Sequence, residues 1–472
     1  MLDRTIEEKL VLVYQKHFSN FVELISVERL TGGASQETYQ IRIKTFDGEL
    51  IHALRRSAGG EIAEITAEHP GLVTEAMLMG AAKLALVPVP DIYYVLQDED
   101  ELGAGFIMAW LEGETLGASI VRSEKYEKLR SGLAAECGRL LARIHAIDLD
   151  ASNLSDHLTE VSPKEFVEQI WDKYQALETP QPMIDYTARW LLDNLPENYQ
   201  ACLVHNDFRN GNLMVSEEKV VAVLDWELAH IGDPMRDLGW ICVNSWRFGS
   251  TLPVGGFGEY EDLFKAYEKE SGKAINRKSV KFWEVFGSFW WSVGCLGMAE
   301  HYRHGPDQSV ERPAVGRRSS ECQIDCVNLL IPGKVTSIEP LSHQSLADAD
   351  QLPMSLELIE SVIDFLREDI VPSTNGRNQF LSRVSANSLA IVKRELQLGS
   401  LVRENETKRL QGIYGSKDER KKLRWRLTNS LRDGSQSLED QKVMDHLRQS
   451  TFDQITIDQP RYNGLETCKH DH

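Results

Sequence analysis

Alternation of polar and apolar positions marks the first part of the chain as sheet-forming. Thr38 to Ile43 alternate behind the Gly32-Gly33 turn, and IHALRR at 51–56 reads as a second strand beyond the turn at Asp47 and Gly48. Two more apolar runs, PVPDIYYVL and FIMAWLEGETL, finish that sheet. MLDRTIEEKLVLVYQKHF at the start reads as an amphipathic helix, and GLVTEAMLMGAAKLAL at 71–86 as another. From about 120 to 196 the period becomes helical, as at Leu133, Cys137, Leu140, Leu141 and Ile144. LMV at 213–215 and VVAVL at 220–224, separated by the polar SEEK, then predict a short hairpin.

Downstream, Phe282, Trp283, Phe286, Phe289, Trp290 and Trp291 share one helical stretch, and such an aromatic stripe is core before it is a ligand box. The apolar run within it, residues 285–299, is shorter than the ~20 residues of a membrane span. GKVTSIEPLSHQSLADADQLP reads as a linker. Beyond it, Ile359, Val362, Ile363, Leu366 and Ile370 predict one helix stopped by Pro372, and Leu389, Val392 and Leu396 another. The charged stretch at 420–427 is expected to be a solvated helix face.

Composition narrows the function classes. With 472 residues, two or three domains are expected, and 42% hydrophobic and 26% charged residues are ordinary for globular proteins. A formal net charge of −20 argues against nucleic acid or an anionic membrane as partner, since the overall field repels polyanions. A small-molecule substrate is the simpler expectation. Seven cysteines without a C-x-x-C pair fit reduced thiols and a cytoplasmic protein, with no structural zinc site.

Residues 205–225, HNDFRNGNLMVSEEKVVAVLD, carry the chemistry. Phosphoryl transfer needs a carboxylate beside the attacking hydroxyl and oxygen ligands for Mg2+ on the donor phosphates. Asp207 suits the first task, and Asn212 and Asp225 the second. The hairpin returns Asp225 to the neighbourhood of Asn212. An H-x-D tripeptide alone says little, and His205 reads as a structural brace for the loop. Gly32 and Gly33 before a strand are ordinary hairpin punctuation, but in this context they let the backbone approach phosphates, with Ser35 adding a hydroxyl.

LVHNDFRNGNLMV followed by VLDWELAHIGDPMRDLGW resembles the aminoglycoside phosphotransferase family, kinase-like enzymes also similar to choline kinases, over about residues 25–335. The likeness is strongest to the subgroup resembling the phosphotransferase domains fused to acyl-CoA dehydrogenases. It implies an α+β, two-lobed protein-kinase-like fold: an N-lobe of antiparallel sheet plus helix over 1–108 and a mostly helical C-lobe over 109–335. Residues 336–472 would add a C-terminal helical domain, expected to serve docking or homo-oligomer formation.

The resemblance implies an ATP- and Mg2+-dependent transfer of the γ-phosphoryl group to an acceptor hydroxyl, with Asp207 as base and Asn212 and Asp225 on the metal. Arg55 falls where kinases carry the phosphate-clamping lysine, with Arg56 beside it, so which of the two faces the nucleotide stays open. Glu75 is the expected counter-ion, and Met108 to Leu111, Trp110 included, the adenine-recognising hinge. Asp233 and Asp237 are assigned to structure. Arg303, His304, Arg312, Arg317 and Arg318 either bind a phosphorylated acceptor or pair with surface carboxylates. The fused-dehydrogenase likeness favours a hydroxyacyl-CoA acceptor; an aminoglycoside or amino alcohol, and a non-catalytic nucleotide-binding scaffold, are the alternatives.

Overall fold

The computed structural model describes residues 4–30, 36–60, 69–342 and 353–470. The chain divides into two compact units. Met1–Ser162, Glu197–Cys242 and Trp246–Trp283 form one, and Pro163–Pro196, Val243–Ser245 and Glu284–His472 form the other.

The first unit begins with helix α1 (Ile6–His17), started by a capping box in which Thr5 and Glu8 satisfy each other's backbone N–H groups. Strands β1 (Phe21–Arg29), β2 (Gln36–Thr45), β3 (Gly48–Ser57), β4 (Ile92–Val95) and β5 (Gly105–Ala109) form one antiparallel sheet in the order β1-β2-β3-β5-β4. Thr45 pairs with Gly48 across the β2–β3 turn, and Gly48 takes φ +130°, a conformation costly for any side chain. The alternation in β2 puts Tyr39, Ile41 and Ile43 on the buried face, where they pack with Leu54 and Ile107 beneath Leu10, Val13 and Tyr14 of α1. Helix α2 (Leu72–Leu84) follows, with Glu75 in its first turn. The short pairs come next: β6 (Cys202–Val204) with β9 (His230–Gly232), and β7 (Leu213–Val215) with β8 (Val220–Val223). The turn between β7 and β8 is closed by Ser216 N–H donating to the Lys219 carbonyl at 2.9 Å.

The second unit is helical. Helices Pro182–Asp193, Ser319–Leu330, Gly376–Tyr414, Arg420–Arg432 and Gln441–Asp458 surround one core that includes Tyr186, Ile324, Leu410, Leu427, Leu447 and Phe452. Buried Asp185 receives Trp171 Nε1 at 2.9 Å, Tyr174 Oη at 2.9 Å and Arg432 Nε at 2.8 Å. The charged stretch at 420–427 presents the expected solvated face through Lys421, Lys422 and Arg426, which are exposed, and it also has an inner face. Leu423 and Leu427 are fully buried, and Arg420 and Arg424 turn onto the buried Glu406 at 2.9 and 3.3 Å.

Helix Arg277–His304 carries the aromatic stripe, and Phe282, Trp283, Phe286 and Phe289 are buried as core. The arginine-rich region after it is charge-paired: Arg303 with Glu300, Arg312 with Asp307, Arg317 with Glu395 and Asp458, and Arg318 with Glu321. Among the described residues, no helix is long and apolar enough to cross a membrane.

Candidate active site

The loop from His205 to Asn212 is held from beneath by Asp237. Its carboxylate accepts the backbone N–H of His205 at 2.8 Å and of Asn206 at 2.7 Å, and His145 Nε2 at 3.1 Å. Burial pushes the Asp237 carboxyl up, but the hydrogen bond and charge of His145, with His205 adding, hold it below the usual carboxylate range. Asn206 takes φ 64°, a left-handed conformation that asparagine tolerates better than most residues. His205 is fully buried; its Nδ1 accepts the Asp207 N–H at 3.2 Å and its Nε2 reaches the Leu224 carbonyl at 3.1 Å. Burial lowers its pKa, so it stays a neutral brace. Asn210 Nδ2 ties the loop to the Gly255 carbonyl at 2.8 Å.

Asp207 emerges from this loop with its carboxylate held by three donors. Trp240 Nε1 at 2.8 Å and Arg209 Nε at 3.0 Å reach Oδ1, and Asn212 Nδ2 at 2.6 Å reaches Oδ2. The Arg209 guanidinium lies over the Trp246 ring, 4.4 Å from its centroid. Asn212 thus spends its amide nitrogen on Asp207, which leaves its amide oxygen as a ligand atom. Leu224 N–H donates to the Asn212 carbonyl at 2.9 Å, so the end of β8 and the start of β7 are fastened together immediately before Asp225.

Arg55 organises a second group. Its Nη2 lies 2.6 Å from Asp225 Oδ1 and 3.7 Å from Glu227 Oε2, its Nε lies 3.3 Å from Glu75 Oε1, and it also donates to Gln36. Arg56, one residue on, pairs with Glu37 at 2.8 Å and stacks on Tyr39. Successive side chains on a strand point to opposite faces, so Arg55 rather than Arg56 meets Glu75, Asp225 and Glu227. Burial pushes the Glu75 carboxyl up to about 7 against the pull of Arg55, and the charges of Asp225 and Glu227 add to the rise.

The donor set fits a divalent cation. Among the described residues, three carboxylates face a single guanidinium, so the cluster is short of positive charge. Hard oxygen atoms from a carboxylate and an amide are what Mg2+ takes from a protein when phosphates supply the rest.

Asp207, Asn212, Arg55, Glu75 and Asp225 therefore lie in two adjoining clusters of the first unit, joined through the Asn212–Leu224 bond. Met108 lies in β5 opposite Ala53 and Ile92, and Trp110 follows directly. Among the described residues, no hydrogen bond joins either of them to the Arg55 or Asp207 groups. Gly32, Gly33 and Ser35 lie outside the described residues. Asp233 caps the helix at Met235 through a 2.9 Å bond and accepts Trp283 Nε1 at 2.7 Å. Sequence reasoning missed Trp240, Arg209, Glu227 and Gln36. Glu227 had a local signal, two residues past Asp225, whereas Trp240 and Gln36 meet their partners only through the fold.

Comparison with known proteins gives the following. Residues 26–274 match the family model described as the phosphotransferase enzyme family, and residues 372–462 match a domain of unknown function (DUF6285). Acyl-CoA dehydrogenase family member 10 of Mus musculus is 31% identical over 245 residues, 50% of this chain and 22% of that protein. Acyl-CoA dehydrogenase family member 11 of Mus musculus is 26% identical over 285 residues, 55% of this chain and 35% of that protein. The chain thus spans well under half the length of these relatives. A solved Ralstonia eutropha JMP134 structure described as an aminoglycoside phosphotransferase has 25% identity and a TM-score of 0.55, covering 68% of this chain and 96% of that one.

Proposed function

Because the chain belongs to the phosphotransferase enzyme family, we propose that it moves the γ-phosphoryl group of ATP to the hydroxyl of a small-molecule acceptor, with a hydroxyacyl-CoA the favoured class. The observation that carries the reaction type is the joining of a three-donor Asp207 carboxylate to an Arg55–Glu75–Asp225 cluster. Asp207 accepts the hydrogen bond of the acceptor hydroxyl, orients its oxygen and takes its proton as the new O–P bond forms and the bond to the ADP oxygen breaks. Trp240 and Asn212 fix the Asp207 rotamer, so little reorganisation remains for the transfer. Arg55, steadied by Glu75, presents a guanidinium to the donor phosphates. Asn212 and Asp225 would hold Mg2+, which when bound neutralises charge on the phosphate oxygens.

Support for the acceptor class comes from the acyl-CoA dehydrogenase names of the relatives. The likeness to a structure described as an aminoglycoside phosphotransferase supports the second reading, an aminoglycoside or amino-alcohol acceptor. The test is to mix the full chain with Mg·ATP and panels of hydroxyacyl-CoAs, aminoglycosides and amino alcohols, and to read product mass. One class is expected to gain a phosphate, with turnover reduced by orders of magnitude in Asp207→Asn and Asp225→Asn. Wild-type rates in both variants would refute the assignment, and Mg·ATP binding without transfer to any acceptor would favour a nucleotide-binding scaffold.

A further inference from the structure

No step of the transfer calls on Arg209, yet the fold builds a seat for its guanidinium beside the base. Arg209 Nε donates to Asp207 Oδ1 at 3.0 Å, and the guanidinium lies over the Trp246 ring, 4.4 Å from its centroid. Trp246 meets Trp240 edge to face with centroids 5.1 Å apart, and Trp240 Nε1 returns to Asp207 Oδ1 at 2.8 Å. These four side chains close a ring of contacts within the first unit. Gly211 completes the seat. It takes φ +117°, which favours glycine, and a Cβ there would come within 2.6 Å of Arg209 Nη1. An arginine that merely pairs with a nearby carboxylate needs none of this.

The pairing itself is half-made. Arginine beside a carboxylate favours a two-pronged contact in which Nε–H and Nη2–H run parallel onto the two oxygens. Here Asn212 Nδ2 holds Asp207 Oδ2 at 2.6 Å, and only Nε of Arg209 is engaged. Among the described residues neither terminal nitrogen of Arg209 has a hydrogen-bond partner, and both stay open to solvent in a side chain that is 22% exposed. Because it runs parallel to Nε–H, the Nη2–H direction lies along the flank of Asp207. A carboxylate offers about four lone-pair sites. Trp240 and Arg209 use those of Oδ1 and Asn212 one of Oδ2, so the acceptor hydroxyl takes the last, on Oδ2. An acceptor seated there carries its adjoining carbons past Arg209. Arg55, on the other cluster, already supplies a guanidinium beside Asp225, which leaves Arg209 to the acceptor.

We propose that Arg209 is a specificity residue for the acceptor, its Nη2 donating to an acyl oxygen carried a few bonds from the hydroxyl that Asp207 activates. The inference rests on the phosphotransferase reading and sharpens its acceptor class. A guanidinium donates and never accepts, so it suits a thioester carbonyl or a carboxylate, either of which gains a charge-assisted hydrogen bond. An ammonium in the same place would meet a like charge that Trp246 and Asp207 hold in position. Arg209 therefore sorts acyl-bearing alcohols from amino alcohols and aminoglycosides at the point where the hydroxyl is bound.

The test is steady-state kinetics of the full chain with Mg·ATP and four acceptors: a hydroxyacyl-CoA, its free hydroxy acid, a diol of the same chain length without the acyl oxygen, and an amino alcohol. Wild type is expected to favour an acyl-bearing acceptor over the diol at least about ten-fold in kcat/KM. Whether the thioester or the free acid is preferred identifies the source of the oxygen. Arg209→Met and Arg209→Lys both disturb a partner of Asp207 and lower kcat on every acceptor, so the ratio between acceptors is the readout. It should fall to near one in Arg209→Met, chiefly through the KM of the acyl acceptor, with the KM of ATP unchanged. A smaller fall is expected in Arg209→Lys, which keeps the charge without the fork and serves if the larger change disturbs folding. A ratio unchanged in both variants, or a wild type that prefers the diol or the amino alcohol, would overturn the role of Arg209 and leave the phosphotransferase reading standing. Absence of transfer to any acceptor in wild type would overturn both.

Discussion

Asp237→Asn is the change that separates holding the catalytic loop from doing the chemistry. The native carboxylate meets three N–H groups, two on Oδ2 and one on Oδ1, and is completely buried. An asparagine keeps one oxygen. In its better orientation that oxygen serves His205 N and His145, and the new NH2 then faces the Asn206 N–H across the 2.7 Å formerly bridged by a hydrogen bond. The loss is one charge-assisted bond plus one stranded buried donor, together about 3–5 kcal/mol. That corresponds to a fall of about 10 °C in melting midpoint for a unit of this size. The displaced donor belongs to the residue before Asp207, so a shift approaching 1 Å in the base is expected to lower kcat about a hundred-fold. Intrinsic tryptophan fluorescence on heating, and ADP release at saturating nucleotide, measure the two effects. Asp207→Asn is the control, with turnover lost and the midpoint lowered less than in Asp237→Asn, because the Asn212 amide can turn its oxygen to the new NH2. An Asp237→Asn protein that melts and turns over like wild type would show that the loop does not depend on this carboxylate.

Three further outcomes follow from other contacts. Trp240→Phe removes the indole donor to Asp207 Oδ1 and should lower kcat about ten-fold with ATP affinity unchanged; an unchanged kcat would remove Trp240 from the positioning of the base. Glu75, its carboxyl raised from 4.5 to about 7, keeps a proton in the folded chain over that window after the unfolded chain has released it, so wild-type stability falls as pH rises through it. Glu75→Gln lacks that slope, so its melting midpoint should gain on wild type between about pH 5 and pH 8, and a constant difference would refute the shift. Leu427→Ala empties a fully buried position in the helical unit and should cost about 2–5 kcal/mol in denaturant unfolding; a cost below about 1 kcal/mol would contradict the tight core.

Much of the framework was legible because it is written in short-range patterns. The alternation of Thr38 to Ile43 is the β2 strand, and the SEEK turn between two apolar runs is the β7–β8 hairpin that ends at Asp225. The α+β class, with an antiparallel sheet first and helices afterwards, was implied by the family resemblance, and the sheet and helices observed agree with it. The choice between Arg55 and Arg56 was not legible, since alternation separates two faces without saying which one meets Asp225. Trp240 was hidden for a different reason: its indole reaches Asp207 across 33 positions, and no local spacing encodes that. Of the stretch at 420–427 only the solvated side, Lys421, Lys422 and Arg426, was legible, because its many charges outweigh Leu423 and Leu427. Arg420 and Arg424 flank Leu423, so they turn inward with it onto Glu406.

The interleaving of the helical unit has a consequence for biosynthesis. Asp185 waits for Arg432, 247 positions later in the chain, and helix Pro182–Asp193 finds its partners Leu423, Leu427 and Leu431 only after the catalytic segment has been made. At about 5–20 residues per second, Met183 and Tyr186 stay uncovered on the nascent chain for on the order of tens of seconds. Contacts so distant in sequence also make the closing step slow. Removal of the last hundred residues would therefore strip the apolar face from helices at 182–193 and 319–330 rather than release a free-standing module, and a shortened chain should aggregate before it reports on activity.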